Sequence, residues 1–372
     1  MNRMIIIIFS LLISISCGVQ KNKIPCYAWL AHDKKLDDNH LKMRLSKLKK
    51  LGIDTVLYNA GHDSLIYAKV SSLAKETGLG FFAWIPTMVQ EPNEFLTKEL
   101  YAVNRNGESA FDKPAYVAYY KFLCPARNSV FRFLEDLYMK IACIPNVDGI
   151  HLDYIRFPDV ILAKGLWKKY GLVMDKEYPA YDYCYCDSCV SEFKRETGIE
   201  ILKIEDPSGI VEWKQFRYNL ITNLVNRLAE SIHNQHKQIN AAVFPGPNSV
   251  ARPLVRQEWQ NWNLDAFFPM NYNDFYLEDT KWIGDVCRES SETLMHKNKF
   301  YSGLFIRPEI VGNSENTDPE NMGLTAEELH EAIHESMENG ATGICIFTPD
   351  RMTNKHWKVL KKSIFSKTNL GR

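Results

Sequence analysis

The chain has 372 residues, of which 45% are hydrophobic and 12% aromatic, and its 45 lysines and arginines are balanced by 45 acidic residues. This composition excludes a disordered chain, and the length favours one barrel-sized domain over two ordinary ones. A net charge of zero, without basic runs, argues against nucleic acid as a partner and suits a neutral substrate.

The first residues have the features of a secretion signal. Arg3 supplies a positive charge, residues 4–13 form an apolar run too short for a comfortable membrane span, and small residues precede Cys17. This resembles a bacterial lipoprotein signal peptide, which implies cleavage before Cys17 and its lipidation. Residues 1–16 would be the signal, 17–24 a polar tether and 25–372 the folded domain.

The alternative for this segment is ordinary secretion with an incidental Cys17. Both interpretations place the protein outside the cytoplasm. In the first, the protein is lipid-anchored to the bacterial cell envelope, in the periplasm or at the outer membrane, and the polar tether holds the domain off the bilayer. Oligomeric state is left open by the sequence.

Beyond the tether, apolar strands and amphipathic helices alternate. The pattern predicts strands at residues 25–31, 55–59 and 80–85, within 148–158, and at 240–244, 264–270, 300–306 and 342–348. It predicts helices at 38–51, 64–76, 129–141, 211–237, 277–295, 326–339 and 357–364, and a helical piece ending at Gly198.

Eight strands, each followed by a helix, are typical of a closed parallel (β/α)8 barrel, the TIM barrel. Two polar segments interrupt the repeat, residues 87–120 after the third strand and 160–207 after the fourth. We expect both to be long loops over the strand ends. No glycine-rich phosphate-binding motif is present, which argues against nucleotide chemistry.

The stretch DGIHLDYIRFP, residues 148–158, contains the leading catalytic candidate, because barrel enzymes carry their chemistry at strand ends. Asp153 leaves a buried strand between apolar neighbours, where an ionised carboxylate is costly without a partner. It is therefore predicted to be catalytic. The alternative is an ion pair between Asp153 and Arg156 that holds a loop.

Glycoside hydrolysis needs a second carboxyl group across the scissile bond. The candidates are Asp274, Glu309 and Asp350, the last two ranked lower because each follows a proline that can turn it away. Arg156 is expected to lower the pKa of Asp153, which favours a nucleophile or a stabilising role for Asp153 and leaves the proton donor on another strand.

Aromatic and polar side chains at the strand ends predict a carbohydrate substrate, since aromatic faces stack on sugar rings and polar groups bind hydroxyls. The predicted substrate-binding residues are Trp29, His62, Trp84, His151, Tyr154, Arg156, Asn271 and Tyr272. Core packing is the alternative for Trp29, Trp84 and Tyr272, and a packed core histidine is the alternative for His151.

Two longer motifs carry a family resemblance. Together with DGIHLDYIRFP, the segments CYCDSCVSEFKRETG and FLCPARNSVFRFL resemble the glycosyl-hydrolase-like barrels called family 10-like, over nearly the whole chain after the signal. The fourth strand is also similar to the DGxDxDWEYP signature of family 18 chitinases. Here His151 replaces an aspartate, Ile155 and Arg156 stand in place of the proton-donating glutamate, and Asn273 replaces a second aspartate, so chitinase activity is not expected.

The resemblance implies a glycoside hydrolase that acts on an oligo- or polysaccharide by a two-carboxylate mechanism, with no required cofactor. A barrel that binds glycan without cleaving it is the main rival, because no motif fixes the second carboxylate. A surface protein that scaffolds partners is the third possibility.

Four cysteines form a separate candidate site, with Cys124 upstream of Cys184, Cys186 and Cys189 in CxCxxC spacing. Thiolates this close together suit a tetrahedral ion. The pattern resembles the four-cysteine zinc site of family 42 β-galactosidases, which implies a structural zinc. A disulfide with one free thiol, or neither arrangement, is the alternative, since disulfides form outside the cytoplasm.

Overall fold

A computed structural model describes residues 23–295, 297–308 and 322–365 of the chain. Eight parallel strands form a closed barrel in which each strand pairs with the next and the last pairs with the first. They are β1 (Cys26–Ala31), β2 (Thr55–Asn59), β3 (Gly80–Pro86), β4 (Gly149–Asp153), β5 (Gln238–Val243), β6 (Ala266–Pro269), β7 (Lys299–Phe305) and β8 (Gly343–Phe347). The predicted (β/α)8 barrel is confirmed. The predicted signal, Cys17 and Glu309 lie outside the described residues.

Along the chain, one or more helices follow each strand. They are α1 (Asp38–Leu51), α2 (Ser64–Glu76), α3 (Asn128–Ala142), α4 (Trp167–Tyr170), α5 (Asp187–Thr197), α6 (Val211–His233), α7 (Arg252–Val255), α8 (Asn273–Tyr276), α9 (Thr280–Thr293), α10 (Ala326–Glu338) and α11 (Asn354–Phe365). Within the described ranges, none of them has the length and apolar character needed to cross a bilayer.

Helix α1 shows how local sequence sets these boundaries. The side chain of Asp37 accepts a hydrogen bond from the backbone N–H of His40 and so caps the first turn. Gly52, at a φ of 107°, ends the helix in a left-handed conformation that glycine adopts without strain. The buried face consists of leucines spaced three and four residues apart, Leu41, Leu45 and Leu48.

One predicted helix starts later than the sequence indicated. The pattern predicted a single helix over residues 277–295, but the chain forms the one-turn helix α8 first and then α9. Leu277 separates them with a φ of 62°, and the side chain of Asp279 accepts from the N–H groups of Lys281 and Trp282 to begin α9. A capping carboxylate thus overrode the apolar periodicity.

The strands place alternate side chains on opposite faces of the barrel wall. On β1, Ala28 and Leu30 pack in the layer between the strands and the helices, whereas Trp29 points into the barrel. The interior cluster consists of Trp29, Leu57, Phe82, Ala242, Ala266, Phe268, Tyr301 and Cys345. The barrel is therefore a packed core closed below any cavity at the strand ends.

The two longest connections, 87–127 after β3 and 154–210 after β4, lie where the sequence predicts long loops. They contact each other directly: Tyr185 donates its N–H to the carbonyl oxygen of Val103 at 2.7 Å, and Asn104 and Tyr183 form an antiparallel bridge. Each loop therefore supports the other over the carboxyl ends of the strands.

Substitution of Gly149 by alanine should destabilise the barrel. A Cβ atom at this buried first residue of β4 would lie 2.1 Å from the carbonyl oxygen of Gln238 on β5 and 2.7 Å from the Phe82 ring. Because backbone cannot move aside as a side chain does, we expect a loss of at least about 3 kcal/mol in the free energy of unfolding.

The measurement is chemical denaturation of Gly149→Ala beside Gly209→Ala. Gly209 has no atom within 4 Å of its would-be Cβ and has no positive φ, so its variant should stay within about 0.5 kcal/mol of the parent. Equal stability of the two variants would contradict the close approach of β4 to β5.

Candidate functional site

A cavity of about 270 Å³ lies at the carboxyl ends of the strands, beneath the loops that follow β3 and β4. Most of its lining is aromatic: Trp29, Trp84, Tyr116, Tyr119, Tyr120, Tyr154, Tyr170, Phe244, Tyr272, Phe275, Tyr276, Phe305 and Phe347. Such surfaces present ring faces to a ligand and suit molecules with apolar C–H faces.

Asp153, the last residue of β4, carries a buried carboxyl group of this cavity. Its Oδ2 accepts a hydrogen bond from Trp84 Nε1 at 2.8 Å, and its Oδ1 accepts one from the backbone N–H of Tyr154 at 2.7 Å. Tyr154 has a φ of 48°, an uncommon conformation for a residue with a bulky side chain. The chain therefore turns sharply at the strand end, which directs this carboxyl group toward the cavity.

Burial raises the pKa of Asp153 above its usual value. The hydrogen bonds from Trp84 and Tyr154 and the charge of Arg156 oppose this shift without cancelling it. Arg156 thus acts in the predicted direction, but its effect on this pKa is outweighed by burial. A carboxyl group that keeps its proton to higher pH is suited to donate it.

Arg156 pairs with Asp159 instead of Asp153. Its Nη1 lies 2.8 Å from Asp159 Oδ2, and both side chains are 5% exposed. The alternative of a loop-holding ion pair between Asp153 and Arg156 is thus corrected. The guanidinium also lies 4.9–5.7 Å from the centres of four aromatic rings, those of Tyr120, Phe122, Tyr154 and Phe244.

Asp159 is a cavity residue that sequence reasoning missed. The available signal was its position three residues after Arg156, the same spacing by which Asp153 precedes it. Spacing alone could not decide between the two carboxylates, because the choice depends on the turn at Tyr154.

Six predicted site residues are brought together in the lining of the cavity: Trp29, Trp84, Asp153, Tyr154, Arg156 and Tyr272. The two predicted second carboxylates that the structure describes lie elsewhere. Asp274 accepts from the N–H of Gly323 at 2.7 Å and lies 3.9 Å from Arg307, while Asp350 binds Arg44 at 2.6 Å on the surface. The prediction that either faces Asp153 across a substrate is corrected.

Three predicted substrate-binding residues also lie away from the cavity lining. His151 and Asn271 are buried in the barrel wall, and Asn271 donates to Ser302 Oγ at 2.8 Å. The ring of His62 packs edge-on against Phe133, with centroids 6.0 Å apart. All three side chains make contacts within the protein instead of lining the cavity.

The four cysteines converge at one buried point. The Sγ atoms of Cys124, Cys184, Cys186 and Cys189 all lie within 4.8 Å of one another. Cys124 Sγ is 3.5 Å from Cys186 Sγ and 3.6 Å from Cys189 Sγ, and all four residues are free thiols. Hydrogen bonding from the neighbouring thiols, that of Cys124 foremost, lowers the pKa of Cys186.

This donor set fits a tetrahedral soft metal ion. Zinc bound to four thiolates has Zn–S distances of about 2.3 Å and hence S···S distances of about 3.8 Å, close to the separations found here. A disulfide needs an S–S distance of about 2 Å, which these positions reach only after movement. Cys124 precedes α3, and the other three lie around the start of α5, so a bound ion would join the two long loops.

No protein-family model matches the chain, and neither does any curated protein. Solved structures do match its fold. The glycoside hydrolase domain of PgaB (BpsB) from Bordetella bronchiseptica is 12% identical, with a TM-score of 0.66 over 92% of this chain and 99% of that one. The catalytic domain of a β-amylase from Paenibacillus polymyxa is 10% identical, with a TM-score of 0.59 over 93% and 99%.

A class V chitinase from Pseudomonas fluorescens is a third match, 9% identical with a TM-score of 0.51 over 92% of this chain and 99% of that one. All three matched proteins are glycoside hydrolases built on barrels. At identities this low, the matches show a shared architecture and no more. The chemistry of the present chain has to be argued from its own cavity.

Proposed function

We propose that the protein is a glycoside hydrolase that cleaves O-glycosidic bonds of an oligo- or polysaccharide. The observation that carries the proposal is the Asp153 carboxyl group, buried at a strand end, held by two N–H donors and facing an aromatic cavity. Its raised pKa supports a role as proton donor. The aromatic lining supports a sugar as the ligand, and the barrels of known glycosidases provide the same arrangement of strand ends.

The chemistry needs two carboxyl groups in different protonation states. Asp153 donates its proton to the glycosidic oxygen as the bond from that oxygen to the anomeric carbon breaks. A water molecule then forms the new bond to the anomeric carbon and returns a proton to the Asp153 carboxylate. Asp159, which pairs with Arg156, carries the other carboxyl group of the cavity among the described residues. In this proposal it stabilises the positive charge that develops on the sugar ring, the role expected from the sequence for Asp274 or Asp350.

One observation favours a second candidate, a barrel that binds carbohydrate without cleaving it. The charge of Asp159 is already engaged by Arg156 at 2.8 Å, and an engaged carboxylate is a weaker base or nucleophile than a free one. The aromatic lining would serve binding equally well in either case.

Replacement of Asp153 by asparagine should separate the two candidates. We expect turnover of a cleaved glycan to fall by about 10²- to 10⁴-fold, since the amide cannot donate the required proton, while glycan binding persists. The measurement is product release from a panel of glycans and aryl glycosides, with Asp350→Asn as the control, because Asp350 lies on the surface beside Arg44.

The pH profile gives a second readout of the same residue. Activity should decline as pH rises through the raised pKa of Asp153, because the general acid then loses its proton. Full activity of Asp153→Asn would refute the assignment of the acid. Binding without cleavage by both parent and variant would establish the carbohydrate-binding barrel.

We also propose that the four cysteines hold a structural zinc ion. The support is the convergence of four buried thiols at separations close to those of a zinc tetrathiolate. In this role the ion takes no part in bond cleavage and instead fixes the loops after β3 and β4 to each other.

The purified protein should then contain about one equivalent of zinc per chain, and Cys186→Ser should contain far less. Elemental analysis measures the metal, and Cys143→Ser is the matched control, because Cys143 is an exposed thiol outside the cluster. Zinc-free protein whose mass after alkylation shows a disulfide among the four cysteines would replace the metal with the disulfide alternative.

We propose, finally, that the chain is anchored to the cell envelope through a lipid on Cys17. The support is the sequence of residues 1–17 alone, with its positive charge, short apolar run and small residues before the cysteine. Cys17→Ala should move the protein from the membrane fraction to the soluble fraction on cell fractionation, whereas Cys143→Ser should leave it in place. Membrane retention of Cys17→Ala would refute the anchor.

A further inference from the structure

Two tryptophans line the barrel end of the cavity, and the indole nitrogen of each donates to one buried partner. Trp84, on β3, donates to Asp153 at 2.8 Å. Trp29, on β1, donates to His151 Nε2 at 2.9 Å. The first contact belongs to the proposed proton donor. The second leads away from the cavity into the barrel and serves no step of the proposed reaction.

The contact of Trp29 continues as a chain of hydrogen bonds across the barrel. His151 Nδ1 lies 2.5 Å from Oδ1 of Asn240, its register partner on β5. An indole N–H can only donate, so His151 Nε2 has to accept and the imidazole proton has to reside on Nδ1. That proton is donated to Asn240 Oδ1. The geometry therefore fixes both the protonation state and the tautomer of His151.

The surroundings of His151 keep it neutral. The ring is fully buried and lies edge-on to Phe268, with centroids 5.1 Å apart. Burial lowers the pKa of His151 to about 3. The titratable groups of the elements packed around it are Tyr27 on β1, Tyr301 on β7, Cys345 on β8 and, two residues along its own strand, Asp153. Its other neighbours, Trp84, Asn240 and Phe268, carry no charge.

The position of Trp29 is also defined by its packing. Its ring lies 6.1 Å from that of Phe347, and a Cβ on Gly303 would come within 3.0 Å of it. The glycine thus provides the space that the indole occupies. Packing confines the ring to this space, and the bond to His151 determines which edge faces the barrel and which part lines the cavity.

We propose that His151 and Asn240 are positioning residues, which orient Trp29 in the cavity wall through a hydrogen-bond chain that works only while the imidazole is neutral. Neither residue lines the cavity, so their influence on a ligand passes through Trp29. The link to sugar turnover rests on the proposed function. The hydrogen-bond chain itself does not.

The isosteric variant Asn240→Asp tests this chain. A carboxylate beside Nδ1 favours the imidazolium and should raise the pKa of His151 into the range above about 5. Once Nε2 carries a proton it can no longer accept from the indole, so two donors face each other and Trp29 has to move. The control is the same substitution at an exposed residue, Asn219→Asp, which adds an equal charge away from the hydrogen bonds of His151.

The measurement is the indole N–H spectrum of protein labelled with ¹⁵N-tryptophan, with the Trp29 signal assigned by its loss in Trp29→Phe. The spectra are recorded between about pH 8 and about pH 5, the range in which His151 should titrate only if the acceptor of its Nδ1–H is charged. Titration of Asp153 is reported separately by the signal of Trp84, because the indole N–H of Trp84 donates a hydrogen bond to Asp153.

In practical terms, the Trp29 signal should be constant in the parent and in Asn219→Asp and should shift with pH in Asn240→Asp. A constant signal in folded Asn240→Asp would overturn the proposal. So would a parent signal that titrates in this range. If Asn240→Asp fails to fold, ¹⁵N-histidine labelling of the parent still decides, because His151 should show the neutral Nδ1–H form, and the Nε2–H form would overturn the inference.

Turnover gives the functional readout. For a glycan that the parent cleaves, the KM of Asn240→Asp should rise about three- to tenfold as the imidazolium forms, with a smaller change in kcat, because an aromatic contact to the sugar is lost. A KM independent of pH in a variant whose Trp29 signal titrates would overturn the link to sugar binding. Absence of cleavage by the parent would instead refute the proposed function and leave the hydrogen-bond chain standing.

Discussion

The ion pair between Arg156 and Asp159 is the interaction on which the cavity depends. Both side chains are almost fully buried, and the rings around the guanidinium come from three parts of the chain, so one charge joins the loop after β3, the end of β4 and the end of β5. Removal of either partner would leave an uncompensated buried charge, at a cost of about 3–5 kcal/mol. The wall of the cavity and its electrostatics therefore cannot be changed independently.

Desolvation acts in opposite directions on the two ionisable residues of β4. His151 and Asp153 lie on the same face of the strand, and burial raises the pKa of the acid while it lowers that of the base. Both groups are thereby biased toward their neutral forms. Each also accepts a hydrogen bond from a tryptophan indole. For His151 this bond fixes the tautomer of the neutral ring, whereas neutral Asp153 retains a proton that it can donate.

The barrel could be predicted from the sequence because strand and helix periodicities are local and repeat eight times. The face on which a side chain lies was predictable too, as the clustering of Trp29, Trp84 and Asp153 shows. The depth of a side chain in the barrel and the ion-pair partner of a charged residue could not be predicted. Alternation puts His151 and Asp153 on one face but does not say which lies below the cavity, and Arg156 has carboxylates three residues away on either side. The backbone turn at Tyr154, a tertiary feature, decides between them.

The mutual contacts of the two long loops bear on how this fold could diversify. Loops on barrels are usually regarded as independent units, exchangeable one strand at a time. Here the cysteine cluster contains residues of both loops, and the backbone hydrogen bond from Tyr185 to Val103 is a second link between them. Transfer of one loop to another barrel would carry only one or three of the four thiols and would leave an unpaired backbone edge, so the two loops are expected to evolve together as one unit.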